Sequence, residues 1–458
     1  MLFDFYPWVS FITQIWLYLI VLMTGIYMCY KYRKSLLHIY IILLFYPGFF
    51  AFLGKEFTDV WRIITLGFTF WFCIERKVFS VWTNKDILLT ILFTLLTLSF
   101  FLSFFHSGDR VTVVLSQYSR YIIAYCLWFI IRKEIIMSES RRVRLIHLLY
   151  DLILMQMIIS IAKLILFEGA QIESLVGSLS HIGGAAGTTI PILGFMVLWF
   201  YRNGKFQLKD WIFVLGLMLI GFTTGKRAVW FIMPIVIFAF MIYVPRIKVN
   251  KTLWIAIIMA PFALYLGVRL TPTLNPEYQV WGSFDLEYAW NYAMEYQFGK
   301  EEENVVPIID LKQGDIAMGR GGGTIALIEH FFDFDNLSVI DWLGVGFSTM
   351  YATNYKEFAD SNIFVQLNHK GSATGLFQTY VTMGYLGVFT TILFFFYMLC
   401  QIKLRRLRWV VLGVVAWEYF MYTGFIFRTT AFMLLIVFFV HYSNFLVWQN
   451  KQNKLKLD

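Results

Sequence analysis

Residues 87–105 read ILLTILFTLLTLSFFLSFF, nineteen residues without one charge. As a helix this stretch rises about 28 Å, close to the ~30 Å of a bilayer's hydrocarbon core. Similar runs recur along all 458 residues, of which 59% are hydrophobic, 20% aromatic and only 15% charged. A soluble chain of this length needs far more charge to cover its surface, so the composition excludes a soluble globular protein.

Apolar spans are read near 8–30, 35–54, 60–75, 87–105, 112–131, 146–167, 185–201, 210–224, 227–244, 252–270, 377–399, 409–427 and 430–448. The expected fold is an all-α integral membrane protein of about 12–13 transmembrane helices. "MLFDFYPW" at the start lacks a basic region and a small-residue cleavage site, so no cleaved leader is expected. Cys29, Cys73, Cys126 and Cys400 all lie in or beside apolar spans, which implies no disulfide framework.

Every second connection is basic. "KYRK" (31–34), "ERKVFSVWTNK" (75–85), "RKEIIMSESRRVR" (132–144), "RNGKFQLK" (202–209), "PRIKVNK" (245–251), "KLRRLR" (403–408) and "KQNKLK" (451–456) together hold 24 of the 38 Lys and Arg residues. Basic short loops stay cytoplasmic, which puts the N-terminus outside and the C-terminus inside. Residues 271–376 form one large outer loop with five basic and fifteen acidic residues. The net charge of +9 is therefore a topology signal and does not point to nucleic acid. Within the loop, "FDLEYAWNYAMEY" (284–296) and "GGTIALIEHFF" (322–332) have helical apolar spacing, so a small helical subdomain is expected. The chain thus divides into spans 1–270, the loop 271–376 and a C-terminal membrane part 377–458 with a short cytoplasmic tail. Nothing repeats internally.

Nine cations defy the inner pattern: Lys55, Arg62, Arg110, Arg120, Lys163, Lys226, Arg227, Arg269 and Arg428. Arg120 falls near mid-span in "VVLSQYSRYIIAYC", where a charge costs at least ~2.5–3.5 kcal/mol and should face the bundle or a wet cavity. Lys226 and Arg227, in "GFTTGKRAVWF" (221–231), open an outer helix end after a plausible "TTG" cap. Two cations beside the positive end of a helix dipole repel one another unless an anion joins them, and arginine's planar fork suits phosphate. In the loop, Arg320 sits in the Gly-rich turn of "MGRGGGTIALIEHFF" (318–332), and His369 precedes re-entry into the membrane.

Taken in order, "TGKRAVW", "GRGGGTIALIEHFF", "LGVGF" and "LNHKG…MGYLGVF" resemble the bacterial O-antigen polymerase and O-antigen ligase superfamily, of the C-type glycosyltransferase fold. The resemblance covers roughly residues 215–400. It implies transfer of glycan from an undecaprenyl-diphosphate carrier on the outer face of the bacterial inner membrane, with neither metal nor nucleotide sugar and no cofactor. Arg227 and Arg320 are then expected to hold the diphosphate, and His369 to activate the acceptor hydroxyl. Lys226, Arg120, Arg269, Arg428 and Asn368 are expected to bind diphosphate or glycan. Ligases commonly place Asn directly after the His, whereas Asn368 precedes His369 here, which favours a polymerase over a ligase that delivers glycan to lipid A-core. The implied partners are the undecaprenyl-diphosphate-linked oligosaccharide, membrane lipids and a polysaccharide chain-length regulator, with no nucleic acid. A transporter or flippase of an anionic lipid or solute is the competing class. The absence of repeat symmetry and the gathering of cations at one face argue against it.

Other motifs carry less. "DFD" (333–335) matches a metal–nucleotide-sugar pattern but lies outside, where nucleotide sugars are scarce. Glu329 and His330 are adjacent on a helix, so they point about 100° apart and lack a third ligand. "SLSHIGGAAGTT" (178–189) is a small-residue outer loop that suits tight helix packing or admission of an isoprenoid tail.

Overall fold

The computed structural model describes residues 11–53, 55–108, 111–166, 177–179, 185–223, 227–243, 251–279, 281–298, 319–333, 335, 337–346, 374–422 and 429–455. Every regular element among them is helical. In chain order these are α1 (Phe11–Lys31), α2 (Leu36–Phe45), α3 (Pro47–Leu53), α4 (Lys55–Glu75), α5 (Asn84–Ser107), α6 (Val111–Met137), α7 (Glu139–Leu166), α8 (Ala185–Arg202) and α9 (Leu208–Thr223). Then come α10 (Arg227–Phe238), extended by a π-helical turn, α11 (Lys251–Leu270), α12 (Leu286–Phe298), α13 (Gly319–Phe332), α14 (Val339–Leu343), α15 (Gly375–Cys400), α16 (Arg405–Phe420) and α17 (Thr430–Leu455).

Helix overlaps each of the thirteen expected stretches, although in the stretch 409–427 it ends at Phe420. Among the described residues, six helices are long and apolar enough to cross a membrane: Ile12–Lys31, Asn84–Ser107, Val114–Met137, Glu139–Leu166, Gly375–Cys400 and Thr430–Gln449. The chain has the make-up of a multi-pass helical membrane protein. The expected span 35–54 is not one helix. It breaks between Phe45 and Pro47, because proline cannot donate into the ladder and restricts the residue before it. The amide of Gly48 turns outward to the carbonyl of Ser178, at 2.7 Å. At 16 residues each, α9 and α16 rise about 24 Å and fall short of the hydrocarbon thickness.

Apolar surface is sorted in the way a bilayer demands. On α1, Ile12, Trp16, Leu19, Met23, Ile26 and Tyr30 form an exposed stripe at three- and four-residue spacing, and α5 repeats it with Ile87, Ile91, Leu95, Leu98, Leu102 and Phe105. Such stripes belong against lipid tails. By contrast the first part of α17 is apolar on every side and Ala431–Val440 are all buried, the signature of a central helix segment. It packs on α6, while α5 lies along α15.

Charge gathers at the basic end, where carboxylates neutralise part of it. Asp86 accepts a two-pronged pair from Arg132 (2.6 and 2.8 Å) and a bond from Trp128 Nε1 at 2.9 Å. The same carboxylate caps α5 through the amide and hydroxyl of Thr83, at 2.7 Å each. Asp151 meets Lys31 at 2.6 Å, and Asp210 receives Arg202 at 2.8 Å.

Candidate functional site

At the opposite end, three helix termini and the loop helix α13 meet in a buried polar belt. The hydroxyl of Thr324 on α13 donates to the carbonyl of Phe420 at the end of α16, at 2.6 Å, and lies 3.5 Å from that of Thr374. Thr374 caps α15 by accepting from the amide of Phe377 at 3.2 Å. One residue on, the Gly375 amide donates to Tyr422 O at 2.9 Å. From α8, Thr188 pairs with the Tyr422 hydroxyl at 3.0 Å, and Thr189 donates to the carboxylate of Glu418 at 3.3 Å. Glu418 is only 1% exposed. A buried carboxylate among hydroxyls and amides is an acceptor held ready for further hydrogen bonds.

Between Gly375 and Cys400 the helix is interrupted at Gly384, with φ 62° and ψ −168°. The interruption frees carbonyls, and neighbouring segments satisfy them. The Val345 amide of the loop donates to Val381 O at 2.7 Å, and Ser103 of α5 donates to Thr382 O at 2.5 Å. Beside this break, Asp341 ties three elements together. One carboxylate oxygen accepts from Tyr380 of α15 and lies 3.1 Å from His330 Nε2 of α13. The other takes the amide and hydroxyl of Ser338, at 2.8 and 2.7 Å. Burial pushes the Asp341 carboxyl up, but the donors Ser338, Tyr380 and His330 outweigh it and hold the group below its ordinary value of 3.8. Tyr385 donates to Leu327 O at 2.8 Å, adding a second clasp between α13 and α15.

A second anchor lies over α10 and α11. Val268, Leu274, Ala289 and Tyr292 form a small core joined by Phe231 and Leu264, so α12 is seated on the ends of α10 and α11. Since α12 also packs on α13, the two loop helices bridge the α10–α11 end to the α15–α16 end. Arg269 braces this anchor. Its Nε donates to Gly282 O and a terminal nitrogen to the Tyr265 hydroxyl, each at 2.8 Å, and its plane lies 4.7 Å from the Trp281 ring. The guanidinium assigned to substrate from sequence is committed here to the turn that follows α11.

The other expected site residues stand as follows. Arg227 opens α10 and Arg320 is the second residue of α13. The expected Gly-rich turn around Arg320 is instead helical. Gly321 and Gly323 are buried, so close packing offsets their low helix propensity. Lys226, Asn368, His369 and Arg428 lie outside the described residues, as do the side chains of Arg227 and Arg320. Arg120 is half-buried on α6, one turn beyond Ser116, whose hydroxyl accepts from Arg62 of α4. A charge at that depth is thus turned partly into the bundle, as its cost requires. Lys163, another of the nine, is fully buried on α7.

Sequence reasoning missed Glu418 and the Asp341 junction. Glu418 had a legible signal, a lone carboxylate in the apolar span "VVAWEYF". For Asp341 only the local half was legible, as Ser338-x-x-Asp341. Beneath the polar belt, Thr391, Phe395, Val415 and Tyr419 line an apolar crevice of about 70 Å³ between α15 and α16. No protein-family model matches the chain, and no curated protein matches it as a relative.

Proposed function

We propose that this chain is an integral glycosyltransferase that polymerises glycan repeat units carried on undecaprenyl diphosphate. In this reading the loop-bearing end faces the outside of a bacterial inner membrane and the basic end faces the cytoplasm. The observation that carries it is the bridge formed by α12 and α13. This bridge draws the helix starts bearing Arg227 and Arg320 toward the termini of α15 and α16, which flank the segments holding His369 and Arg428. Cations gathered at one membrane surface suit a leaving group that develops diphosphate charge.

The chemistry of this reading is an in-line displacement. An acceptor hydroxyl attacks the anomeric carbon from the face opposite the diphosphate. The new C–O bond forms as the bond to the diphosphate oxygen breaks, and configuration inverts. His369 takes the hydroxyl proton, and the lipid diphosphate leaves as an anion held by Arg227, Arg320 and Lys226. Glu418, with Thr189, is suited to orient the sugar, and the crevice between α15 and α16 to receive part of the isoprenoid tail.

The test is an assay on purified protein in nanodiscs, with undecaprenyl-diphosphate-linked repeat units and EDTA present. Wild type is expected to build a glycan ladder. Arg227→Ala, Arg320→Ala and His369→Ala, shown to be folded, are expected not to. If no ladder forms and the lipid-linked glycan instead changes leaflet in sealed vesicles, the chain is a flippase and this assignment falls. Glycan appearing only on a lipid A-core acceptor makes it a ligase.

A further inference from the structure

We propose that the basic end carries a separate binding site for a phosphate-bearing anion, in the cavity between the α1–α2 turn, α4, α6 and α7. The cavity measures about 280 Å³ and is lined by Lys34, Ser35, His38, Glu75, Arg76, Glu134, Arg141 and Arg144, with Leu36 the one apolar side chain. That volume is at the small end of ligand-binding pockets and suits a phosphate group with a short substituent.

The lining has a surplus of donors. Four cations face two carboxylates, and both carboxylates are already shared. Glu134 lies 3.8 Å from Arg76 and 3.6 Å from Arg141, while Glu75 lies 3.6 Å from Arg76. At those separations the pairs attract by charge but are too long for hydrogen bonds, so the guanidinium groups keep donor capacity, although one Arg141 nitrogen also donates to Met137 Sδ at 3.2 Å. Lys34 and Arg144 have no carboxylate partner among the described residues, and both are exposed at the cavity mouth.

The second observation is His38. It is 3% exposed and lines the cavity, yet its Nε2 is buried without a hydrogen-bond partner among the described residues. A buried polar atom left unsatisfied is costly, and an oxyanion accepting from Nε2–H removes that cost. The donors come from α2 (His38) and the turn before it (Lys34), from the turn after α4 (Arg76) and from α7 (Arg141 and Arg144). A tetrahedral phosphate has oxygens for several such directions, whereas a carboxylate has two, and the arginine forks match phosphate oxygens in pairs. The phosphate can come from a phospholipid headgroup at the membrane surface or from a free phosphate compound.

The test uses the full chain in a maltoside detergent, which contains no phosphate. Inorganic phosphate and pyrophosphate are titrated by calorimetry, and short-chain phosphatidic acid is followed by native mass spectrometry. The doubly substituted Lys34→Gln, Arg144→Gln protein keeps its fold because both side chains are exposed. His38→Gln is run beside it, with its melting temperature recorded. Wild type is expected to bind at least one probe, and the double variant at least about tenfold more weakly through loss of two charge-assisted contacts. Binding of inorganic phosphate identifies a free compound as the source. Binding of the lipid alone identifies a headgroup. If wild type binds neither through the millimolar range, or the double variant binds as wild type does, the site does not exist.

Discussion

Gly344 of the loop lies directly against Gly384 of α15, so closely that a Cβ at position 344 would come within 2.6 Å of the Gly384 amide nitrogen. Both glycines have positive φ, 78° and 62°. Here the segment after α14 is locked to the point where a long apolar helix is interrupted. Neither residue tolerates a side chain, because the obstacle is backbone on both sides.

Gly344→Ala and Gly384→Ala are each expected to destabilise the protein by about 2–4 kcal/mol, through overpacking and strain at positive φ. Gly413→Ala on α16 is the control, since a Cβ there meets nothing within 4 Å. It should be neutral or stabilise by up to about 1 kcal/mol, as alanine favours helix. Thermal unfolding in detergent, followed by tryptophan fluorescence, separates the three.

The junction at Asp341 gives a pH dependence of definite sign. Its folded value is depressed below 3.8, so its contribution is fully present above the unfolded value and is lost as pH falls through the folded one. The α13–α14–α15 junction should therefore hold at neutral pH and loosen only in acid, below about pH 4. Limited proteolysis between pH 3 and 7 would read this out. In Asp341→Asn the junction should be cleaved faster at pH 7, with its acid dependence flattened.

At the basic end, Asp86→Asn strips Arg132 of its paired carboxylate inside the bundle. Removing one partner of a buried pair costs about 3–5 kcal/mol. The melting temperature should fall accordingly, and adding Arg132→Gln should restore part of it by removing the stranded charge. No recovery in the double variant would show that Asp86 acts mainly through Trp128 and the α5 cap.

Arg269→Ala should leave the membrane helices intact and free the turn after α11, because that guanidinium braces Gly282 and Trp281. Faster cleavage within 271–283 and altered Trp281 fluorescence are expected. Under the proposed function, Arg320→Ala should lower turnover by about 10²–10³-fold, the scale of losing a group that stabilises developing charge. Arg269→Ala should act mainly through the loop's order, and a full loss of turnover in protein with a normal cleavage pattern would instead place Arg269 on the substrate.

Sequence by itself determined the helical membrane class and where along the chain the apolar helices fall. Burying backbone polar groups in hydrocarbon leaves helix as the economical solution for an apolar run of this length, so 87–105 and its counterparts could be placed from composition alone. The local cap at Ser338-x-x-Asp341 and the helix over 284–296 were legible for the same reason, since each depends on near neighbours. What residues 87–105 could not reveal is which face meets lipid, because leucine and phenylalanine suit lipid tails and protein interior alike. Nor could the sequence show that Asp341 reaches Tyr380 and His330, that Gly344 meets Gly384, or that His38 closes a basic cavity. Those contacts join residues far apart in the chain, and only the packing of helices into a bundle decides them.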